Sequence, residues 1–269
     1  MIMNCCICGT VRNCGPFLNK IFINIEKICS LFDDYKIVIY YDISTDNTLN
    51  VLKEYQKRNP RLLIYVNEQP LSQYRTFRIA KGRNACLNYV KENKDIFTYF
   101  IMMDMDCVNS KGMVNIEPIR KCLTREDWDA VSFNKPVYYD IWALSIKPYY
   151  LSCAHWSGGE DVGIVMSKYI INLLNNVNKD DLIPCASAFN GFAIYRTDKF
   201  ANCHYYGGLN LSLLPQHLIK QNITLFKGKF DCSKIEDCEH RYFHLMAINK
   251  NQARIRISPE IIFPEDNVW

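Results

Sequence analysis

No stretch of the 269 residues reaches the ~20 consecutive apolar residues of a membrane span, so no transmembrane segment is expected. No low-complexity tract, internal repeat or linker breaks the chain, which argues for one domain rather than a string of modules. A concentrated basic stripe is missing too. The net charge of +4 and pI near 8.3 are mild, suit small anions such as nucleotide phosphates, and argue against nucleic acid as a partner. There is no second Cys-x-x-Cys, so Cys5-x-x-Cys8, inside an expected strand, lacks the other half of a zinc site. The thirteen cysteines are odd in number and cannot all pair. Cys6, Cys86 and Cys107 fall in apolar or periodic segments, the pattern of reduced, buried thiols in a cytosol-like compartment. With a strand expected almost at the first residue, secretion is not expected and the location is read as cytoplasmic. The Asn210-Leu211-Ser212 and Asn222-Ile223-Thr224 sequons are then idle.

A hydrophobic share of 49%, with 13% aromatic and 22% charged residues, is globular. Asn4 to Gly9 reads as a strand, and Leu18, Ile21, Phe22, Ile25, Ile28 and Phe32 recur at helical spacing. Tyr35 to Tyr41 is a second strand and Arg61 to Asn67 a third, separated by a helix that Asp46 or Ser44 would cap. Tyr74 to Lys91 is helical, and the next apolar run begins at Ile96. This alternation predicts an α/β fold: a Rossmann-like, doubly wound, mostly parallel twisted sheet with helices on both faces. Further on, Ile116 to Leu123 reads as a helix, Ala130 to Phe133 and Pro136 to Tyr139 as strands, and Ser152 to Asp161 as a loop able to act as a mobile lid. Val162 to Val177 is helical, Ser187 to Arg196 a turn entering a strand, 201 to 231 mixed, and Ala253 to Phe263 a last strand.

The chain is organised around Ile96 to Asp106, an apolar run that ends in two carboxylates separated by Met105. Side chains alternate along an extended backbone, so Asp104 and Asp106 would point the same way. Two like charges held that close favour a cation between them, and oxygen-only ligation suits Mn2+ or Mg2+. The plain alternative is a strand end whose acids face water. Position favours the metal, because ligands of open α/β sheets bind at the carboxyl ends of strands.

The ordered set Arg78-Ile79-Ala80-Lys81-Gly82-Arg83-Asn84, Asp104-Met105-Asp106, Tyr139-Asp140-Ile141-Trp142-Ala143, Asn190-Gly191 and Cys238-Glu239-His240 resembles a GT-A-fold glycosyltransferase. Within that fold it is most similar to the group of fungal capsule-associated proteins and related α-mannosyltransferases. The resemblance covers roughly positions 5 to 263. It implies a single domain over 1–269, with a nucleotide-binding half at about 1–110 and an acceptor half at about 111–269. The implied activity is metal-dependent transfer of a sugar from a UDP- or GDP-linked donor to a hydroxyl of a glycan acceptor.

Carried over by resemblance, Gly9, Thr10 and Arg12 border the nucleotide, and Asp42 reaches base or ribose. Arg78, Arg83 and Asn84 face diphosphate or sugar, together with Asp104. Trp142, Asn190 and Gly191 belong to the acceptor side, and Asp140 and Glu239 are the catalytic acids. The metal falls to Asp104, Asp106 and a late histidine, His240 or His244. Local chemistry leaves alternatives open: Thr10 and Asp46 as helix caps, the arginines as a solvated helix face, Trp142 as core, and either histidine as a structural group orienting the other. A sugar-phosphate nucleotidyltransferase would use a similar sheet, but the Gly-rich first loop it needs is absent from Gly9-Thr10-Val11-Arg12-Asn13. A non-catalytic glycan-binding protein of the same fold would not need intact Asp104, Asp106 and Glu239. A homo-oligomer is left open.

Overall fold

The computed structural model describes residues 2–265 apart from 68, 70, 71, 160 and 227. Its first half is a run of strand–helix units: β1 (Asn4–Val11), α1 (Gly15–Cys29), β2 (Asp34–Tyr41), α2 (Thr48–Arg58), β3 (Leu62–Val66), α3 (Arg75–Glu92) and β4 (Tyr99–Asp104). Then come α4 (Glu117–Leu123), β5 (Ala130–Asn134), the two-residue β6 (Trp156–Ser157), α5 (Val162–Asn176) and β7 (Ile183–Cys185). The chain closes with β8 (Phe192–Arg196), the single turn α6 (Thr197–Phe200), α7 (Gln216–Leu225), β9 (Lys229–Phe230), α8 (Glu239–Asn251) and β10 (Ile255–Ile261).

Eight strands form the main sheet in the order β3-β2-β1-β4-β8-β5-β10-β7. β3, β2, β1 and β4 are mutually parallel, as are β5 and β10, while β8 runs antiparallel to both β4 and β5 and β7 antiparallel to β10. The sheet is therefore mostly parallel, with helices on both faces. Leu18, Ile21, Phe22 and Ile25 of α1 cover one face with Ile119 of α4, and Ala80, Leu87 and Val90 of α3 cover the other with Phe243 and Ala247 of α8. Burial on both faces explains why the central strands are continuous apolar runs.

The period of two also decides the fate of Cys5-x-x-Cys8. Cys5 packs in the first core and Cys8 in the second, so the pair faces opposite sides of the sheet and cannot share a metal. No disulfide joins two cysteines among the described residues. No helix among the described residues is long and apolar enough to cross a membrane.

Several local expectations are corrected. Pro136 to Tyr139 is not a strand, because its end is fixed by side chains instead: Tyr139 N donates to Asn190 Oδ1 at 3.3 Å and Tyr139 OH to Asp104 Oδ2 at 2.9 Å. The central run starts at Tyr99, since Ile96 N and Phe97 N bond back to the Asn93 carbonyl and Ile96 is 54% exposed. The Ser152–Asp161 stretch is folded: a 3-10 turn buries His155, Trp156 and Ser157 pair with Phe230 and Lys229, and Asp161 caps α5 through Ile164 N. None of its described residues lines the cavity introduced below, so the lid expectation has no support there; residue 160 lies outside the described residues. The N-cap of α2 is Asn47, not Asp46 or Ser44; Asp46, one residue earlier, accepts from Gly15 N at 3.0 Å and Thr48 N at 3.0 Å and so ties the starts of α1 and α2 together. Thr10 caps nothing, being a strand residue paired with Asp104.

One close approach holds the loop before α8 against the start of α3. Thr76 Oγ1 lies 2.7 Å from Gly207 O and 3.0 Å from Glu236 Oε1, and Asp237 N donates to Gly207 O at 3.0 Å. A Cβ on Gly207 would stand 2.5 Å from Phe77 N and 2.6 Å from Thr76 O, both backbone atoms that cannot yield. Gly207→Ala is therefore expected to destabilise the fold by roughly 2 kcal/mol or more, the cost of overpacking against rigid backbone. A Cβ on Gly158, where nothing lies within 4 Å, meets only the penalty of its φ of +70°, about 1 kcal/mol. Urea melts of the two variants should rank in that order, and equal midpoints would contradict the packing argument.

Candidate active site

The carboxyl edge of the parallel strands opens into a cavity of about 520 Å³, the size of a small-molecule site. β1 contributes Thr10 and Val11, Asp42 follows the last residue of β2, and β4 delivers Asp104 with Asp106 just beyond it. From above, α3 adds Arg75, Arg78 and Arg83, and α8 adds Glu239 and His240.

Sheet register sets the centre. Thr10 pairs with Asp104 across β1 and β4, and Asp104 N donates to Gly191 O at 2.9 Å, where the antiparallel β8 begins. Asn190 and Gly191 have φ of +53° and +82°, so the chain reverses tightly at this point. Asn109 Nδ2 donates to Asp104 O at 2.8 Å and to Gly191 O at 2.7 Å, and Lys135 Nζ supports it from behind through Val108 O. Asp106 turns out of the strand and accepts from Val108 N at 3.0 Å, starting a short 3-10 turn.

Arg83 is the hub. It is 5% exposed, and its guanidinium reaches Asp104 Oδ1 at 2.9 Å and Glu239 Oε1 at 2.6 Å while lying 4.6 Å over the Phe189 ring. Burial alone would push its pKa down, but Glu239 and Asp104 outweigh that and hold it charged, above its ordinary value. Burial and the nearby Asp104 charge raise the Asp106 carboxyl to about 6. Asp140 is raised to about 6 for the same two reasons, with Ala143 N partly offsetting them.

Of the residues singled out in the sequence, Thr10, Arg12, Asp42, Arg78, Arg83, Asp104, Asp106, Asp140, Trp142, Glu239 and His240 line the cavity. Gly9, Asn84, Asn190 and Gly191 do not. Gly9 lies under Met105, where a Cβ would collide with the Met105 side chain. Asn84 is spent on the Tyr205 backbone, donating to its carbonyl at 2.9 Å and accepting from its N–H at 2.8 Å. Asn190 accepts from Tyr139 N and Asp140 N and donates to Phe133 O, so it and Gly191 build the floor beneath the acids. His240 does not join Asp104 and Asp106: among the described residues no three His, Cys, Asp or Glu side chains group to hold a metal, and the His240 ring is stacked on Phe189 at 3.7 Å. His244 is buried beyond it, with Nδ1 2.9 Å from Ser187 Oγ.

Sequence reasoning missed Asn109 and Arg241, and named Tyr139 only within a motif, without a role. Arg241 pairs with Asp237 at 3.2 Å and donates to the Trp142 and Leu144 carbonyls, fixing the start of α8 against the Trp142 loop. The only available signal was the density of acids and aromatics around positions 139–142 and 236–244.

The sequence model for Glycosyl transferase family 2 matches residues 7–197, from β1 to the start of α6. The chain belongs to that family. This family 2 chain is also similar in fold to solved structures. Staphylococcus aureus TarS in complex with UDP, residues 1–349, is 14% identical with a TM-score of 0.50, covering 97% of this chain and 59% of that one. Longer TarS gives the same identity and score over 36% of its length. The mannosyltransferase PcManGT from Pyrobaculum calidifontis, in complex with GDP-Man and Mn2+, is 12% identical over 77% of this chain and 48% of its own, with a TM-score of 0.45 that is too low to argue from. The family 2 chain thus spans less than two thirds of the length of these structures. No curated protein matches it.

The electrostatics of the family 2 site carry a stability prediction. A carboxyl whose folded pKa is about 6 and whose unfolded pKa is about 4 stabilises the fold fully only below the unfolded value; that contribution is lost as pH rises through the folded value. Asp106→Asn removes the group that ionises at a cost. With chelator present, its melting temperature should match wild type near pH 4, rise above it between about pH 4 and 6, and stay higher to pH 8. The difference is bounded by about 3 kcal/mol, the free energy of such a shift. Circular-dichroism melts across this range test it, and a gap that does not change with pH would refute the charge-crowding account.

Proposed function

We propose that this chain transfers a hexosyl residue from a UDP- or GDP-linked donor to a hydroxyl of a glycan acceptor, with Mn2+ or Mg2+ as cofactor. The supporting observation is the cavity itself: Asp104 and Asp106 at the carboxyl end of β4 share it with a buried arginine, a second acid at the start of α8 and an acid at the end of β2. The outer end, with Asp42, Tyr40 and Thr10, is assigned to the nucleoside, and the inner end, with Asp140, Trp142 and Glu239, to the sugars. The domain reading, a nucleotide-binding half over about 1–110 and an acceptor half over about 111–269, follows the same division. The motif order supports placement with the capsule-associated α-mannosyltransferase-like group and makes GDP-linked mannose the first donor to try. A cytoplasmic location is part of the same reading.

The donor set fits a hard divalent cation. Both oxygens of Asp104 are engaged, Oδ1 by Arg83 and Oδ2 by Tyr139, while Asp106 is crowded by the Asp104 charge, a crowding that a cation relieves. Asp106, with Asp104 beside it, would hold the ion and leave its other positions to diphosphate oxygens and water. Such an ion neutralises charge building on the departing diphosphate.

The chain's own groups then divide the work. Arg75 and Arg78 present positive charge at the cavity wall where the diphosphate would pass. Arg83 aligns Asp104 and Glu239, pairing with one oxygen of each. Glu239 takes the proton of the acceptor hydroxyl as that oxygen bonds the anomeric carbon, and the old anomeric C–O bond breaks with its electrons leaving on the diphosphate. Asp140, anchored by Ala143 N and Asn190 N, holds sugar hydroxyls.

Incubating wild type with a panel of nucleotide sugars and Mn2+ should release UDP or GDP from one donor class only. Glu239→Gln is expected to cut transfer by roughly 10²–10⁴ while Mn2+-dependent nucleotide binding persists. Nucleotide release from no donor, or full transfer by Glu239→Gln, would overturn the reading.

A further inference from the structure

The inner end of the cavity holds polar atoms that the fold leaves without a partner. His240 is 1% exposed and lines the cavity, yet its Nε2 has no hydrogen-bond partner among the described residues. The Trp142 Nε1–H, on the same wall, is buried and unpartnered as well. Leaving a buried polar atom idle costs its desolvation without return, so atoms of this kind facing a cavity mark a place where a ligand makes the bond.

The His240 ring is held in place. It lies face to face on Phe189 at 3.7 Å and meets Tyr205 edge-on at 5.3 Å. Behind it runs a chain of polar groups: Ser187 Oγ is 2.9 Å from His244 Nδ1, His244 Nε2 is 3.0 Å from Tyr195 OH, and Tyr195 OH is 3.5 Å from His240 Nδ1. Burial and the positive charge of Arg83 keep both imidazoles neutral, His244 down at about 3 and His240 well below its ordinary value. Each ring then has one N–H and one bare nitrogen, and a consistent chain runs one way. Ser187 O–H donates to His244, His244 Nε2–H to Tyr195, and Tyr195 O–H to His240 Nδ1, which leaves the His240 proton on Nε2. That nitrogen is 3.9 Å from Glu239 Oε1, too far for a direct hydrogen bond and the kind of gap that a bridging oxygen fills.

We propose that Glu239 and His240 together grip the reacting hydroxyl of the sugar acceptor, which accepts from His240 Nε2–H and donates to the Glu239 carboxylate. Ser187, His244 and Tyr195 are positioning residues that fix the imidazole tautomer. The inference rests on the proposed transfer reaction. It assigns His240 to the acceptor and not to the metal, and it fixes the chemical class of ligand at this end as an alcohol able to donate and accept at once.

The test uses the donor found by nucleotide release, with methyl hexopyranosides as acceptor probes. His240→Phe keeps a flat ring on Phe189 and removes the hydrogen bond. Transfer should fall roughly 10- to 100-fold with a raised KM for the methyl hexopyranoside, while Mn2+-dependent UDP or GDP affinity stays within about twofold. His240→Gln, whose amide can still donate, should regain part of the loss and serves as the second variant if the Phe replacement fails to fold. Tyr195→Phe cuts the chain without touching substrate. It should cost about 3- to 10-fold in wild type and nothing further in His240→Phe, a coupling that a merely structural role would not produce. Unchanged transfer in both His240 variants overturns the proposal. So does a loss of nucleotide affinity in His240→Gln that excess Mn2+ restores, which would mark a metal ligand. A wild type that releases nucleotide from no donor overturns the transferase reading and this inference with it, whereas an active wild type with unaffected variants overturns this inference alone.

Discussion

The site depends on one buried cation. Arg83 sits on the face of α3 that packs against the sheet, at a position where the helical period calls for an apolar residue. It is tolerated because two carboxylates from different elements close on it, Asp104 from the end of β4 and Glu239 from the start of α8. A buried ion network of this kind adds little net stability, since desolvation offsets much of the attraction; removing one partner, however, leaves the others uncompensated and costs about 3–5 kcal/mol. Its value is geometric. α3, the end of β4 and the start of α8 are locked so that Arg83, Asp104 and Glu239 share one cavity.

Around this cation the negative charge is in excess. Asp104, Asp106, Asp140 and Glu239 all line the cavity, and Arg83 is the one guanidinium buried among them; Arg75 is exposed at the rim. The two carboxyls that Arg83 does not touch, Asp106 and Asp140, are the two whose pKa values burial and Asp104 raise to about 6. The scaffold therefore holds charge in reserve. The Asn190–Gly191 reversal, the Asn109 amide and the Tyr139 hydroxyl spend their hydrogen bonds on keeping the acids from moving apart.

How much of this could be seen in the sequence follows from the range of each signal. Strand and helix patterns are local, so the strand–helix alternation and the apolar run into Asp104-Met105-Asp106 could be read directly. Pro136 to Tyr139 was misread because its conformation is imposed by Asn190 and Asp104, more than thirty residues away in each case. Gly9, Asn84, Asn190 and Gly191 stood out for residue type, yet their work is to admit or fix a neighbouring backbone, and which backbone stands opposite is a tertiary fact. Tyr139, Asn109 and Arg241 carry no periodic signature at all. His240 stood out for its chemistry, but its ring orientation, stacked on Phe189 with Nε2 3.9 Å from Glu239 Oε1, is a tertiary fact that no sequence pattern carries.

The conflict between folding and function at this site has a direct consequence. Arg12, Arg75 and Arg78 line the outer cavity, but at its inner end Asp104, Asp106, Asp140 and Glu239 surround the single buried Arg83, so whatever supplies positive charge there is bound partly by relieving that crowding. A ligand that binds only the folded state stabilises it in proportion to the logarithm of its concentration over Kd. Cation and diphosphate should therefore reinforce each other: the cation offsets the acids, and the diphosphate fills the positions that Asp104, already held by Arg83 and Tyr139, leaves to a ligand. The arrangement that makes the free protein less stable than a neutral pocket would be is what favours a cation at the inner end of the cavity.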